Sequence, residues 1–234
     1  MQRETFTPPD LTDALLARMP LFPLARAVLF PSAVLPLHLF EPRYRALAEH
    51  TVAGPRVMAL GTLVDGGTEG EAAADESGAP AIHRVVTIGA VAAQRRLPDG
   101  RWDLALRGLC RAEVVDEVAS GEPFRLVQVR RLRERERPED VRLAFELRSA
   151  AVQIANVVPP LWPQLNPQLL EARTPAALAD LMAALFVDDA DTRRALIEET
   201  RVGARLERVT EAIGSHLLDL AVRAGERGSE RILH

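Results

Sequence analysis

Proline interrupts the first apolar stretch of this chain at short intervals. Residues 20–24 read Pro-Leu-Phe-Pro-Leu, residues 28–31 read Val-Leu-Phe-Pro, and residues 34–40 read Val-Leu-Pro-Leu-His-Leu-Phe. Each proline removes a backbone donor, so a strand that contains one is expected at a sheet edge or a bulge. We therefore predict that these short strands lie at the edge or mouth of a small barrel, where their apolar side chains can meet a partner.

Composition and charge restrict the class of protein. Apolar residues make up 47% of the 234 positions, which is enough for one large domain or two small ones. The formal net charge of −4 argues against a nucleic-acid binder, which usually carries a basic stripe. No apolar run reaches the roughly 18–20 residues that span a bilayer, and residues 1–10 do not resemble a signal peptide. We expect a cytoplasmic protein with neither a membrane nor a nucleic acid as partner.

The sequence contains no lysine, since every basic residue is an arginine. A phosphate-binding loop, a Ser–Lys catalytic dyad and Schiff-base chemistry all need a lysine, so all three are closed to this chain. The histidines and Cys110 do not stand at metal-ligand spacing, and no serine has a Gly-x-Ser-x-Gly context. These patterns predict a protein without catalytic residues, cofactor or metal.

The period of the apolar residues changes from two to 3.6 at Pro138, after a passage of alternating arginine and glutamate over residues 130–137. Before it, Pro98-Asp99-Gly100 predicts the turn of a hairpin, and residues 65–80, rich in glycine and acids, predict a flexible loop. Two subdomains follow from this change, a β-rich part over residues 1–133 and a helical bundle over residues 134–234. The fold class is therefore α+β.

The helical part shows several amphipathic segments. Val141, Phe145 and Val152 share one face of its first helix, and we expect that face to be buried. Thr174 followed by proline predicts a helix start. The last helix repeats apolar residues at near-heptad spacing, a pattern typical of packing inside a bundle. These residues are Val202, Leu206, Val209, Ile213, Leu217 and Leu220.

Ordered motifs from about Pro20 to about Val222 resemble the N-terminal substrate-binding domain of Lon proteases. They are Pro23-Leu24, Val28 to Pro31, Leu35-Pro36-Leu37, Glu41-Pro42-Arg43-Tyr44, Gly89-Ala90-Val91, Leu97 to Gly100, Arg107 to Arg111, Pro175 to Ala183, and Leu196 to Val209. The resemblance implies a PUA-like β pseudobarrel followed by a helical bundle. It also implies a standalone, non-catalytic module, because the chain stops at His234 and has no lysine for the Lon protease domain.

As partners, the resemblance implies polypeptide substrates or client proteins, with a separate ATP-dependent protease as a further possible partner. The candidate binding residues come from the apolar, proline-rich edge, from the helix start that follows it and from a proline-bounded loop. They are Leu37, Leu39, Phe40, Arg43, Tyr44 and Trp162. The alternative is a small-molecule sensor or an enzyme that uses a cleft between the two halves, because PUA-like barrels can hold ligands. A deep pocket with convergent polar groups would favour that alternative.

Overall fold

The computed structural model describes residues 7–64 and 80–230, and residues 219–230 by their backbone alone. The strands are β1 (Met19–Leu24), β2 (Val34–Leu39), β3 (Val57–Thr62), β4 (Val85–Arg96), β5 (Trp102–Val118) and β6 (Arg125–Arg131). The helices are α1 (Asp13–Leu16), α2 (Pro42–Ala53), α3 (Asp140–Val157), α4 (Trp162–Glu171), α5 (Pro175–Phe186), α6 (Ala190–Glu198) and α7 (Val202–Glu230). Residues 65–79 of the predicted flexible loop lie outside the described residues.

The chain divides into two compact units. The first, called the barrel unit, comprises residues 1–133 and 190–198, and the second, the helical unit, comprises residues 134–189 and 199–234. The six strands of the described residues belong to the barrel unit together with α1, α2 and α6. The α+β class, with strands followed by helices, is confirmed. A boundary between independently folding domains at residue 133 stays a prediction.

Five strands of the barrel unit close into a ring. The strand order is β2-β5-β4-β3-β1-β6, and β6 also pairs with β5, so the ring runs β5-β4-β3-β1-β6 and back to β5. The long strand β5 makes this closure possible, because its first half pairs with β2 and its last part, residues 112–118, pairs with β6. Strand β2 is added outside the ring and ends the sheet.

Strand β1 lies inside the sheet, so the prediction that its prolines place it at an edge is wrong. It pairs with β3 over residues 21–24 and with β6 over residues 19–21. The backbone oxygen of Leu24 accepts from Leu63 on the β3 side, so by strand alternation Pro20 also faces β3 and Pro23 faces β6. Pro20 therefore lies before the pairing with β3, which starts at Leu21, and Pro23 lies after the pairing with β6, which ends at Leu21. Neither position needs a backbone N–H donor.

Glycines are required at one turn and at one close approach in the barrel unit. Gly100 has φ +83° in the turn between β4 and β5, and the predicted Pro98-Asp99-Gly100 hairpin is confirmed. Gly108 lies within β5, where its N–H donates to Ala33 O and its oxygen accepts from Ser32 N–H. A Cβ on Gly108 would lie 2.2 Å from Phe30 O, so the close approach of residues 30–33 to β5 requires a glycine there.

Arginines attach α6 to the strands of the barrel unit. Arg111 on β5 is 1% exposed, and it donates from Nε to Ile197 O at 2.9 Å and from Nη2 to Leu196 O at 3.3 Å. The guanidinium therefore satisfies carbonyls at the end of α6 that have no partner within the helix. Arg193 on α6 lies over the Phe30 ring and donates to Val28 O.

The buried face of α3 differs from the predicted one. Val141 and Phe145 are 62% and 71% exposed, whereas the buried residues of the helix are Asp140, Leu147, Ala151, Ile154 and Ala155. Asp140 accepts from the N–H of Arg137, and its side chain lies where a Cβ on Gly203 would be, 2.6 Å from Oδ1. Asp140 therefore lies on the buried face of α3, and Val141 and Phe145 lie outside that face.

Candidate functional site

The candidate residues on and after β2 differ in exposure. Leu37 and Leu39 are buried in a cluster that includes Leu104 and Leu106 of β5. Phe40, directly after the strand, is 60% exposed. A partner that approaches β2 therefore meets its backbone and its outward side chains, not the side chains of Leu37 and Leu39.

The outer edge of β2 carries unpaired backbone positions. The bond from Gly108 N–H to Ala33 O places the backbone of Ala33 towards β5, so by alternation that of Val34, Pro36 and His38 points outward. Among the described residues no strand pairs with this side of β2. Pro36 interrupts the outward row of donors, which limits the length over which another strand can pair here.

Polar side chains beside this edge form an exposed network. The His38 ring bonds through Nδ1 to Asp103 Oδ1 at 2.7 Å and stacks near Phe40. Arg95 donates to the second oxygen of Asp103, and Arg101 lies 3.2 Å from His38 Nε2. The hydrogen bond with His38, followed by that with Arg95, holds the pKa of Asp103 below its usual value. Asp103 therefore stays a carboxylate over the physiological range.

Arg43 and Tyr44, two further candidates, line a cleft of about 430 Å³ in the barrel unit. We call it the α2 cleft, because one wall is the start of α2 and the other is the turn between β5 and β6. It is lined by Leu21, Pro23, Arg43, Tyr44, Pro80 and residues 117–120 and 122–126. Pro42 at the first helical position starts α2, as the sequence predicts, and so places both candidates in this wall.

Charge on the α2 wall is balanced within the wall. Arg43 donates to one carboxylate oxygen of Glu41 from Nε at 3.1 Å and from Nη2 at 2.9 Å. Its guanidinium lies 4.8 Å from the centre of the Tyr44 ring. Tyr44 in turn meets Phe22 edge to face, with ring centroids 4.6 Å apart. These contacts hold an aromatic and a neutralised cation in fixed positions at the cleft.

The opposite wall repeats this arrangement. Arg125 donates to both oxygens of Glu117, at 2.8 and 2.6 Å, and to Pro80 O at 2.6 Å. Phe124 and Leu126 flank it in sequence and also line the cleft. Because each guanidinium already faces a carboxylate, the cleft offers apolar surface between two neutralised ion pairs. Such a site suits an uncharged, apolar side chain better than an ion.

Trp162 belongs to the helical unit, whereas the other candidate residues belong to the barrel unit. It is the first residue of α4, after a 3-10 turn over Pro159–Leu161, and its side chain is half-buried. It is not among the residues that line the α2 cleft. The structure thus brings Arg43 and Tyr44 together in one cleft of the barrel unit.

Sequence reasoning missed the wall formed by residues 117–126. It predicted strands on both sides of a Ser120-Gly121 turn and assigned no site to them. The available signal was Pro123-Phe124, an apolar pair directly after a turn. Only the pairing of β6 with the end of β5 places that pair opposite Tyr44.

The described residues lack two other kinds of feature, a metal-binding cluster and a membrane-spanning helix. They contain no group of three or more His, Cys, Asp or Glu side chains that could hold a metal ion. No helix in the part of the chain that the structure describes is long and apolar enough to cross a membrane.

Comparison with known families decides the relationship. The family described as the ATP-dependent protease La (LON) substrate-binding domain matches residues 18–214. The chain belongs to this family. A Lon protease of Phenylobacterium zucineum is 30% identical over 81% of the chain, and one of Anaeromyxobacter dehalogenans is 26% identical over 92%. The chain spans only about a quarter of the length of these relatives, 24% and 26% respectively.

Solved structures show the same fold as this Lon substrate-binding domain. The N-terminal domain of a Mycobacterium avium complex Lon protease matches with a TM-score of 0.67 and 17% identity, covering 85% of this chain and 99% of that one. A Lon N-terminal domain protein from Xanthomonas campestris matches with a TM-score of 0.56 and 23% identity, covering 82% and 96%. At these identities the likeness concerns the fold alone.

Proposed function

We propose that the barrel unit binds polypeptide substrates as extended segments and breaks no bond itself. Membership of the Lon substrate-binding domain family supports a role in substrate recognition. The absence of lysine from the sequence supports the lack of catalysis, because neither a Ser–Lys dyad nor a lysine-containing phosphate loop can be built from it.

The α2 cleft carries this proposal. Its floor contains Leu21, Pro23, Phe124 and Leu126, and its two guanidinium groups are already paired with carboxylates. An apolar side chain that enters the cleft gives up water without leaving a charge unpaired. Such a pocket prefers apolar residues without demanding a particular one, as the recognition of many unfolded chains requires.

The outer edge of β2 supplies a second contact. An extended peptide can pair with the outward backbone groups of Val34, Pro36 and His38, and backbone pairing does not depend on sequence. The exposed Phe40 ring adds apolar surface at the end of this edge. Because Pro36 has no N–H, the added strand stays short, which favours reversible binding over aggregation.

A bound segment would then be passed to an ATP-dependent protease. The relatives in which this domain occurs are named Lon proteases, and they are about four times longer than the matched region. We propose such a protease as the partner of this chain, and a cytoplasmic location for both.

Fluorescence anisotropy with a labelled, permanently unfolded polypeptide tests the proposal. Ala119 is exposed and lines the α2 cleft. The variant Ala119→Asp places a charge in the cleft and should weaken binding of the polypeptide at least fivefold. Phe40→Ser should weaken it to a smaller extent. The matched controls are Ala92→Asp on β4 and Phe145→Ser on α3, which replace equally exposed residues outside both surfaces.

Three outcomes would contradict the proposal. Unchanged binding in both site variants would exclude the α2 cleft and the β2 edge. Equal losses in the control variants would show that the polypeptide binds apolar surface without a site. Binding of a small molecule that excludes the polypeptide would favour the alternative of a ligand sensor.

A further inference from the structure

A second cavity of the barrel unit lies between α1, the end of α2 and the first strand. Its volume is about 320 Å³, and we call it the α1 cavity. Leu15, Pro20 and Val57 provide apolar walls, and Arg18, His50 and Thr51 provide polar groups. No acidic residue is among those that line it. It shares no lining residue with the α2 cleft.

Arg18 is the first unusual feature of this cavity. Its guanidinium has no hydrogen bond or ion pair with any described residue, whereas Arg43 and Arg125 of the α2 cleft each hold a carboxylate. Its side chain is exposed, so an arriving ligand can reach it. An unpaired guanidinium presents a fork of donors that fits a carboxylate.

Thr51 is the second feature. The residue is 1% exposed, and its hydroxyl has no hydrogen-bond partner in the part of the chain that the structure describes. A hydroxyl in a helix commonly bonds to the carbonyl four residues earlier, and this one does not. A buried polar group without a partner is costly, and rotation of this side chain towards the cavity would let a ligand oxygen remove that cost.

The end of a helix disfavours an anion, since its carbonyls carry partial negative charge. Here two carbonyls of the last turn of α2 are already occupied. His50 O accepts from Gly54 N–H, and Thr51 O accepts from Arg56 N–H. The repulsion between these carbonyls and a bound anion is therefore reduced where His50 and Thr51 line the cavity.

We propose that the α1 cavity binds a carboxylate that carries a small apolar group. Arg18 holds the carboxylate, the Thr51 side chain rotates so that its hydroxyl donates to it, and the apolar group lies against Leu15, Pro20 and Val57. Two sources share this chemistry: the C-terminal residue of a polypeptide, and a free aliphatic carboxylic acid. This site is independent of the α2 cleft and of the function proposed for it.

Isothermal titration calorimetry on the full chain tests the site with three probes: N-acetyl-Ala-Ala-Leu as the free acid, the same peptide as its C-terminal amide, and 4-methylpentanoate. The acid should bind at least tenfold more tightly than the amide. Arg18→Gln should remove most of that preference. Arg208→Gln, which changes the net charge equally at an exposed position of α7, should leave it intact.

Thr51→Val should have opposite effects on stability and on binding. Removing a hydroxyl that has no partner should raise the melting temperature of the free protein, and it should weaken binding of the peptide acid severalfold. His50 is left unchanged, because its ring packs against Phe124 of the α2 cleft. Ala119→Asp should bind the peptide acid normally, so failure of one site is distinguishable from failure of the other.

If the peptide acid binds and 4-methylpentanoate does not, the site is assigned to polypeptide C-termini. If both bind comparably, it is assigned to free carboxylic acids. Equal binding of acid and amide would overturn the proposal. So would the absence of binding by all three probes at millimolar concentration, or binding that Arg18→Gln leaves unchanged.

Discussion

Arg205 Nε lies 3.3 Å from Asp180 Oδ1, and both side chains are almost completely buried in the helical unit. Arg205 also donates to Glu134 Oε1 and to Glu199 O. The guanidinium thus joins α7 to α5 and to the segments that flank α3 and α7. A buried charge of this kind is stable only while its partners remain.

We expect Asp180→Leu to lower the free energy of unfolding by about 3–5 kcal/mol, because it leaves Arg205 without the carboxylate that is buried beside it. The double variant with Arg205→Met should recover much of this loss. Urea denaturation followed by the fluorescence of Trp162, with Trp102 replaced by phenylalanine, reports on the helical unit. Arg142→Gln, which breaks an exposed pair with Glu146, should cost less than about 1 kcal/mol.

Arg111→Leu should destabilise the barrel unit by about 3 kcal/mol, because the carbonyls of Leu196 and Ile197 lose their donors. The readout is urea denaturation of a variant whose only tryptophan is Trp102. Arg130→Gln on β6 is the control, since that arginine is largely exposed and pairs with Glu113. Equal midpoints for the two variants would show that Arg111 does not hold α6.

Gly108→Ala should also destabilise the barrel unit, by about 1–3 kcal/mol, because the new Cβ would press on Phe30 O and force residues 30–33 away from β5. Gly121→Ala serves as the matched control, since a Cβ there meets nothing within 4 Å. Thermal unfolding measures both. A Gly108→Ala protein as stable as the Gly121→Ala protein would contradict the tight approach.

Glu199 provides a pH-dependent contribution to stability. Hydrogen bonds from Arg201 lower the pKa of Glu199 from 4.5 to about 2. A carboxyl whose pKa is lower in the folded state stabilises above its unfolded pKa, and this contribution disappears as the pH falls through the folded one. The difference in stability between the natural protein and Glu199→Gln should therefore stay constant from pH 8 to about pH 5.5 and shrink towards pH 2.

High salt is a further check on that difference. Because Arg201 is largely exposed, 1 M NaCl should reduce the contribution of Glu199 at neutral pH. If the difference in stability between the natural protein and Glu199→Gln grows on acidification, or does not change with salt and pH, Glu199 acts through packing.

The sequence predicted those parts of the fold that depend on local pattern. The inward face of α7, with Val202, Leu206, Val209 and Ile213 buried, follows from a spacing that only one side of a helix can satisfy. The exposure of Phe145 could not be predicted, because the buried face of α3 is set by tertiary contacts between residues far apart in the chain, such as Asp140 and Gly203.

The same distinction applies to the candidate site. Arg43 and Tyr44 could be chosen because Glu41-Pro42 marks a helix start. The facing residues 117–126 could not, since closure of β6 onto β5 brings them there. The burial of Leu37 and Leu39 follows from the register of β2 on β5, which the apolar pattern alone does not fix.

The return of α6 to the barrel unit has a consequence for synthesis on the ribosome. The strands through residue 133 emerge first, but the helix that Arg111 holds is made only after residues 134–189. At ~5–20 residues per second, the gap is on the order of several seconds. During that interval the nascent barrel lacks two acceptors of the buried Arg111, so a chaperone could engage it before the helix arrives.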